Sequence, residues 1–296
     1  MAKEDCQRRV QKDSSSKHLI GVFDSGVGGL SVLKALRAEL PFENFIYLAD
    51  SGHAPYGERD DAHVIERSHR IASWLVKHDI KALVIACNTA TAAAITQLRA
   101  AHPDLPIIGV EPALKPAVLL SKTARIGVMA TRGTLASSKF QSLLASQSTH
   151  AAFVLQPCDG LADAIERSAA NGDETGVIER CKHHISAMGR FGRQHGDIDT
   201  LVLGCTHYPF AHACLQELVG TDVQIVDNGE AIARQLRRQL GAVSSSATAG
   251  HGTVALLATG DAANLGVAAH RWLGLDARAS AWQAPVDELK RPASPV

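Results

Sequence analysis

The sequence carries no excess of either charge. Lys+Arg number 30 and Asp+Glu number 30 in 296 residues, so no long-range field draws the chain to nucleic acid or to an anionic membrane. Long apolar runs are missing as well. The opening stretch MAKEDCQRRVQKDSSSKHL has no continuous apolar core of the kind a secretion signal needs, and nowhere do about eighteen apolar residues follow one another. A cytoplasmic protein that neither spans a membrane nor binds nucleic acid is expected. Cysteine is sparse. Six residues (Cys6, Cys87, Cys158, Cys181, Cys205, Cys214) are too few for a disulfide framework in a chain of this length, and free thiols are expected. No CxxC pair occurs. Cys181-Lys182-His183-His184 gathers metal-ligand residue types, but alone it reads as the exposed face of a helix, and no metal site is expected. The loop FDSGVGGL (Phe23–Leu30) also lacks what a nucleotide site needs. Gly26, Gly28 and Gly29 give GxGG rather than GxGxxG, and the lysine of a phosphate loop is absent.

What is present is a core and an alternation. At 46% apolar residues the chain can bury one large or two modest domains. Short apolar runs at Leu19–Phe23, Phe45–Ala49, Ala82–Ala86, Ile107–Val110, Arg125–Met129, Ala152–Leu155, Leu201–Gly204, Val223–Val226 and Val254–Ala258 read as strands. Helical patterns at Leu30–Leu40, Ala62–His78, Thr89–Ala101, Ser137–Ala145, Leu161–Ala170 and Phe210–Leu218 lie between them. Strand and helix repeating in turn predict an α/β fold with mainly parallel sheets flanked by helices. Residues 243–252 and the end from Ala284 read as a loop and a loose tail.

Two strands end alike. LVIACNTATA (Leu83–Ala92) and LVLGCTHYPF (Leu201–Phe210) each run into a cysteine followed by polar residues. LIGVFDSGVGGLSVLKAL and RIGVMATRGTLASSKF also share a layout, so internal duplication competes with coincidence. In parallel α/β sheets ligands bind beyond the carboxyl ends of strands. A thiol there, opening a helix, would meet unpaired N–H groups that favour the thiolate. Asn88 and Thr206 are helix-capping types, which would put both Cys87 and Cys205 at helix starts. A single such cysteine would be turn filler; two with the same setting point to function. Asp24-Ser25 would face a ligand at a third strand end, with glycines allowing close backbone approach. LADSGHAPYGERD would place Pro55-Tyr56-Gly57 as a backbone and phenol wall over a pocket, or form a surface turn.

FDSGVGGLSVL, ADSGHAPYG, VIACNTATA, GVEPALKPA, LGCTHYP and the NGEAIA helix start resemble, in order and spacing, the cofactor-independent glutamate racemases. The resemblance runs from about Leu19 to about Trp272. It implies two pseudo-symmetric domains, residues 1–112 with 227–296 and residues 113–226, facing each other across a cleft that holds the active site; residues 1–17 form an extension. It implies L- and D-glutamate as substrates, interconverted to supply D-glutamate for peptidoglycan synthesis, with no cofactor and a homodimeric assembly. Carried over by position, Cys87 is the base toward D-glutamate and Cys205 the base toward L-glutamate. Asp24 stands beside the first thiol and His207 beside the second. Ser25, Tyr56, Gly57, Asn88, Thr89, Thr131, Thr134 and Thr206 match substrate-binding positions, shared with Asp24 and His207. Glu166 resembles a glutamate supporting the histidine, the alternative being an exposed helix residue. An aspartate racemase is the alternative within the class, and a non-catalytic binding protein on the same scaffold the alternative outside it.

Overall fold

A computed structural model describes residues 19–241 and 252–283. The extension 1–17, Cys6, nearly all of the expected 243–252 loop and the tail from Ala284 lie outside the described residues.

The chain begins with β1 (Leu19–Asp24), α1 (Leu30–Glu39), β2 (Asn44–Ala49), α2 (Asp61–Val76), β3 (Ile80–Ile85), α3 (Asn88–Ala101) and β4 (Ile107–Gly109). It continues through α4 (Leu114–Leu120), β5 (Arg125–Ala130), α5 (Arg132–Ala136), α6 (Ser138–Gln147), β6 (Ala152–Pro157), α7 (Leu161–Asn171), α8 (Thr175–Ser186), β7 (Thr200–Gly204), α9 (His212–Val219) and β8 (Gln224–Val226). It closes with α10 (Gly229–Leu240), β9 (Val254–Ala258), α11 (Ala262–Leu273) and β10 (Ala279–Ala281). Each expected strand forms, with ends shifted by a residue or two; β10 is an addition at a sheet edge.

The strands build two sheets, ordered β10-β9-β2-β1-β3-β4 and β6-β5-β7-β8. Every pairing between named strands is parallel. The run β2-β1-β3-β4 is repeated as β6-β5-β7-β8, so β3 and β7, the strands that lead to Cys87 and Cys205, hold equivalent places. That is the topology a duplicated unit would have. β1 reads LIGVFD because helices cover both faces of its sheet: Ile20, Val22 and Tyr47 pack into one apolar cluster and Phe23, Ile46 and Leu48 into another. In the second sheet Leu201 and Leu203 face one cluster and Val202 the other.

Register sets the strand ends level. Ala86 N–H donates to the Phe23 carbonyl at 2.8 Å, and Asp50 N–H to the Asp24 carbonyl at 2.9 Å, so Asp24, Asp50 and Cys87 emerge along one edge. Ala130 pairs with Gly204, which brings Thr131 and Cys205 together in the second sheet. The chain crosses between sheets twice, and Asn228 Nδ2 ties the crossovers by donating to the Glu111 carbonyl at 3.1 Å. Among the described residues no helix is long and apolar enough to cross a membrane.

Candidate active site

Cys87 ends the first sheet's thiol-bearing strand and is itself the N-cap of α3, its Sγ accepting from Ala90 N–H at 3.4 Å. Asn88 is therefore the first helical residue rather than the cap. The helix start does not lower this thiol. Burial first, and the Asp24 charge second, push Cys87 up to about 12, against the Ala90 N–H and Ser25 hydroxyl that work the other way. The expected helix-start thiolate is corrected accordingly: at neutral pH Cys87 is a thiol, because desolvation exceeds what one weak N–H contact returns. It donates to Ser25 Oγ at 3.6 Å. Ser25 in turn donates to Asp24 Oδ1 at 3.3 Å, an oxygen that also accepts from Gly26 N–H at 2.8 Å.

Cys205 has a different setting. A turn follows it, then a 3-10 segment, Tyr208–Ala211, and α9 begins only at His212. The helix expected from Phe210 begins two residues later, so no α-helix start faces this thiol and Thr206 caps nothing. His207 takes the helix's place. Its Nδ1 lies 3.6 Å from Cys205 Sγ, and its Nε2 lies 2.9 Å from Glu166 Oε1. Glu166, on α7, also accepts Val27 N–H on that oxygen at 3.0 Å. It is thus not a free surface residue. Burial works against the imidazolium, but hydrogen bonds to Cys205 and Glu166 outweigh it and raise His207 well above the ordinary histidine range. Glu166 is held below the usual carboxylate range, burial being overcome by its bond to His207.

The two sides meet. Thr206 Oγ1 donates to Asp24 Oδ2 at 3.0 Å, and Ser31 Oγ donates to the Thr206 carbonyl at 2.7 Å. The glycines of DSGVGG make room for protein: a Cβ on Gly26 would sit 1.9 Å from Glu166 Oε1, and one on Gly28 would sit 2.4 Å from His207 Nδ1. The close approach of Gly26 and Gly28 is to the opposite half's side chains, whereas Gly29 packs on Asp24 and Tyr47 of its own half.

Asn88 is 5% exposed, and neither its Oδ1 nor its Nδ2 has a hydrogen-bond partner. A buried amide left open costs about 1–3 kcal/mol, which a ligand would recover. Next to it Thr89 Oγ1 lies 3.3 Å from Thr131 Oγ1 and 3.5 Å from Thr134 Oγ1, across the two sheets. Gly57 packs on Thr131, where a Cβ would approach to 3.0 Å. Of the expected backbone and phenol wall, the phenol is turned inward. Its hydroxyl donates to Asp50 Oδ2 at 2.5 Å, and Arg67 grips the same carboxylate through Nε (2.9 Å) and Nη2 (2.8 Å). The phenol points into the protein, so what this segment offers a ligand is backbone. Asp50, Arg67 and Tyr47 were not singled out in the sequence; the apolar strand ending in Asp50 was their one visible signal.

Cys181 and His184 are buried in the core under α8, with only Lys182 and His183 exposed, so this cluster is not an exposed helix face. Among the described residues no group of three or more His, Cys, Asp or Glu could hold a metal ion.

The chain is 45% identical over 245 residues to the glutamate racemase of Pseudomonas paraeruginosa, covering 82% of this chain and 85% of that one. Its fold is similar to a glutamate racemase isoform of Bacillus anthracis, with TM-score 0.80 and 32% identity over 92% of this chain and 99% of the other. It is also similar to the Escherichia coli glutamate racemase solved with L-glutamate and an activator, with TM-score 0.78 and 28% identity over 90% and 97%. Residues 20–236 match the family described as Asp/Glu/Hydantoin racemase, and with two strand-end cysteines set at equivalent places, the chain belongs to that family.

Proposed function

We infer that the chain interconverts L-glutamate and D-glutamate by two-base proton transfer, supplying D-glutamate for peptidoglycan synthesis. The observation that carries this reading is the pair Cys87 and Cys205 at the ends of topologically equivalent strands, one in contact with Ser25 and the other with His207.

Their settings differ. Cys87, pushed up to about 12, holds its proton. Cys205 faces the His207 imidazole at 3.6 Å, and the reading gives it the part of base toward L-glutamate. With L-glutamate bound, Cys205 takes the α-proton, and the electron pair stays on the α-carbon. Cys87 then gives its proton to the opposite face, leaving Cys205 as thiol and Cys87 as thiolate. The reverse direction exchanges the roles, so the two titrations belong to the pair. Carbanion charge needs fixed donors. The open amide of Asn88, the first N–H groups of α3 and the hydroxyls of Thr89, Thr131 and Thr134 form a polar patch suited to a carboxylate. Ser25, Gly57 and Thr206 complete the wall, and Asp24 and Glu166 orient the two thiol neighbourhoods.

In this reading residues 1–112 with 227–296 and residues 113–226 are two domains facing each other across the cleft that holds the site. A homodimer belongs to the same proposal and rests on the resemblance alone; sedimentation velocity reads it. The activity is tested by circular dichroism of L- and D-glutamate without added pyridoxal phosphate, NAD or metal, with aspartate in parallel. Glutamate should lose its signal and aspartate keep it. The opposite result assigns the substrate to aspartate, and no change with either amino acid removes the reading.

A further inference from the structure

Tyr47 lies on β2 in the core of the first sheet, 0% exposed and far in sequence from either thiol. Its hydroxyl donates to the Gly26 carbonyl at 2.7 Å. That oxygen belongs to the same peptide group as Val27 N–H, which donates to Glu166 Oε1 at 3.0 Å. One rigid peptide plane thus carries Tyr47 at one end and Glu166 at the other. The same Glu166 oxygen meets His207 Nε2 at 2.9 Å, and His207 Nδ1 meets Cys205 Sγ at 3.6 Å.

The phenol is enclosed by the loop it holds. Gly29 packs against its oxygen, where a Cβ would come within 2.8 Å. The hydroxyl therefore holds the loop through the Gly26 carbonyl, and Val27 N–H, on the same peptide, has its direction toward Glu166 set by that bond. Without the hydroxyl, a buried carbonyl loses its partner and the peptide is free to tilt.

We propose that Tyr47 is a positioning residue for the Cys205-side base, acting through the Gly26–Val27 peptide, Glu166 and His207 across the boundary between the two sheets. The inference rests on the reading of Cys205 as a base, and deepens it by placing one of its supports in the opposite half. Its consequence is an asymmetry. The Cys87 side is reached less directly: Gly26 N–H, on the neighbouring peptide, bonds Asp24 Oδ1 at 2.8 Å, and Asp24 meets Cys87 only through Ser25, at 3.3 and 3.6 Å.

The test is Tyr47→Phe, which keeps the ring and removes the hydroxyl; Tyr47→Met lacks it too and can repack if the first variant does not fold. Two readouts are taken on the full chain. The first needs no turnover: the proton shared between His207 Nε2 and Glu166 should give a slowly exchanging low-field NMR resonance in the wild type, and in the variant it should broaden or exchange faster. The second is single-base β-elimination from the L- and D-forms of a glutamate analogue with a β-leaving group. The L-side rate should fall about tenfold, the scale of a lost orienting hydrogen bond, with the D-side rate near wild type. An unchanged resonance, or equal losses on both sides, overturns the proposal. A changed resonance with unchanged rates confines Tyr47 to structure and also overturns it. If the wild type handles neither form, the racemase reading fails, while the resonance still decides the contact.

Discussion

Thr206, beyond the end of β7, donates its hydroxyl to Asp24 at the end of β1, 3.0 Å away, with both residues buried. The bond joins the two sheets at the strand ends that carry the thiols and puts one carboxylate in touch with both thiol neighbourhoods. Asp24 also accepts Gly26 N–H, yet its pKa stays raised, burial outweighing the His207 charge and these donors.

Removing the Thr206 hydroxyl therefore raises Asp24 further. Thr206→Val should lose about 1–3 kcal/mol of stability, the cost of a buried acceptor short of a donor, read by urea denaturation. Thr206→Ser, which keeps the oxygen, should stay near wild type. If valine and serine behave alike, the bond contributes nothing.

The thiols separate cleanly by substitution. Cys87→Ser and Cys205→Ser should each abolish or cripple racemisation, because a hydroxyl is a far weaker base than a thiolate at neutral pH, and each should fold, the exchange being nearly isosteric. Cys158→Ser and Cys214→Ser should remain active. Cys158 is buried and donates to the Gln156 carbonyl at 3.3 Å, a bond serine can make. An inactive but folded Cys158→Ser would break the pairing of Cys87 with Cys205.

The Glu166–His207 pair gives a pH signature. Glu166 is depressed, so its contribution is present above its unfolded pKa of about 4.3 and is lost as pH falls through its lower folded value. His207 is raised, so its contribution is full below its unfolded pKa of about 6.5 and is lost as pH rises through its higher folded value. The stability gap between wild type and Glu166→Gln should be widest from about pH 4.3 to 6.5. Glu166 is 28% exposed, and solvent screening keeps the gap to about 1 kcal/mol. Denaturant midpoints across pH 3–10 measure it, and a gap independent of pH would show that charge plays no part.

How much of this could be read in the sequence depends on how local each cause is. The strands were legible because strands buried on both faces need unbroken apolar runs, and Cys87 and Cys205 stood out because each ends one. Cys87's state was not legible. Capping chemistry is local and favoured a thiolate, whereas the burial that keeps it protonated comes from the whole fold. Glu166 could be either of two things in sequence, since what holds it is Val27, 139 residues away. Tyr56 was read as facing a pocket; its direction is set by Asp50 and Arg67, and no spacing within PYG contains that. The glycines of DSGVGG announced a close approach without announcing that His207 and Glu166 would be what approached.

The division of labour between the thiols is the sharpest test. An analogue with a leaving group at the β-carbon can eliminate after one proton abstraction, so one base suffices. Cys205→Ser should keep elimination from the D-analogue and lose it from the L-analogue, and Cys87→Ser should do the reverse. The two thiols come from strand ends in different sheets, each with its own partners, Ser25 for Cys87 and His207 for Cys205, which suits opposite faces of one α-carbon. His207→Asn should follow Cys205 and weaken mainly the L-side reaction, since it removes the imidazolium beside that sulfur. Asp24→Asn should weaken mainly the D-side, but less selectively, because Asp24 also holds Thr206. Equal loss of both eliminations in both cysteine variants would leave the thiols acting as one unit on one face, and the two-base assignment would fall.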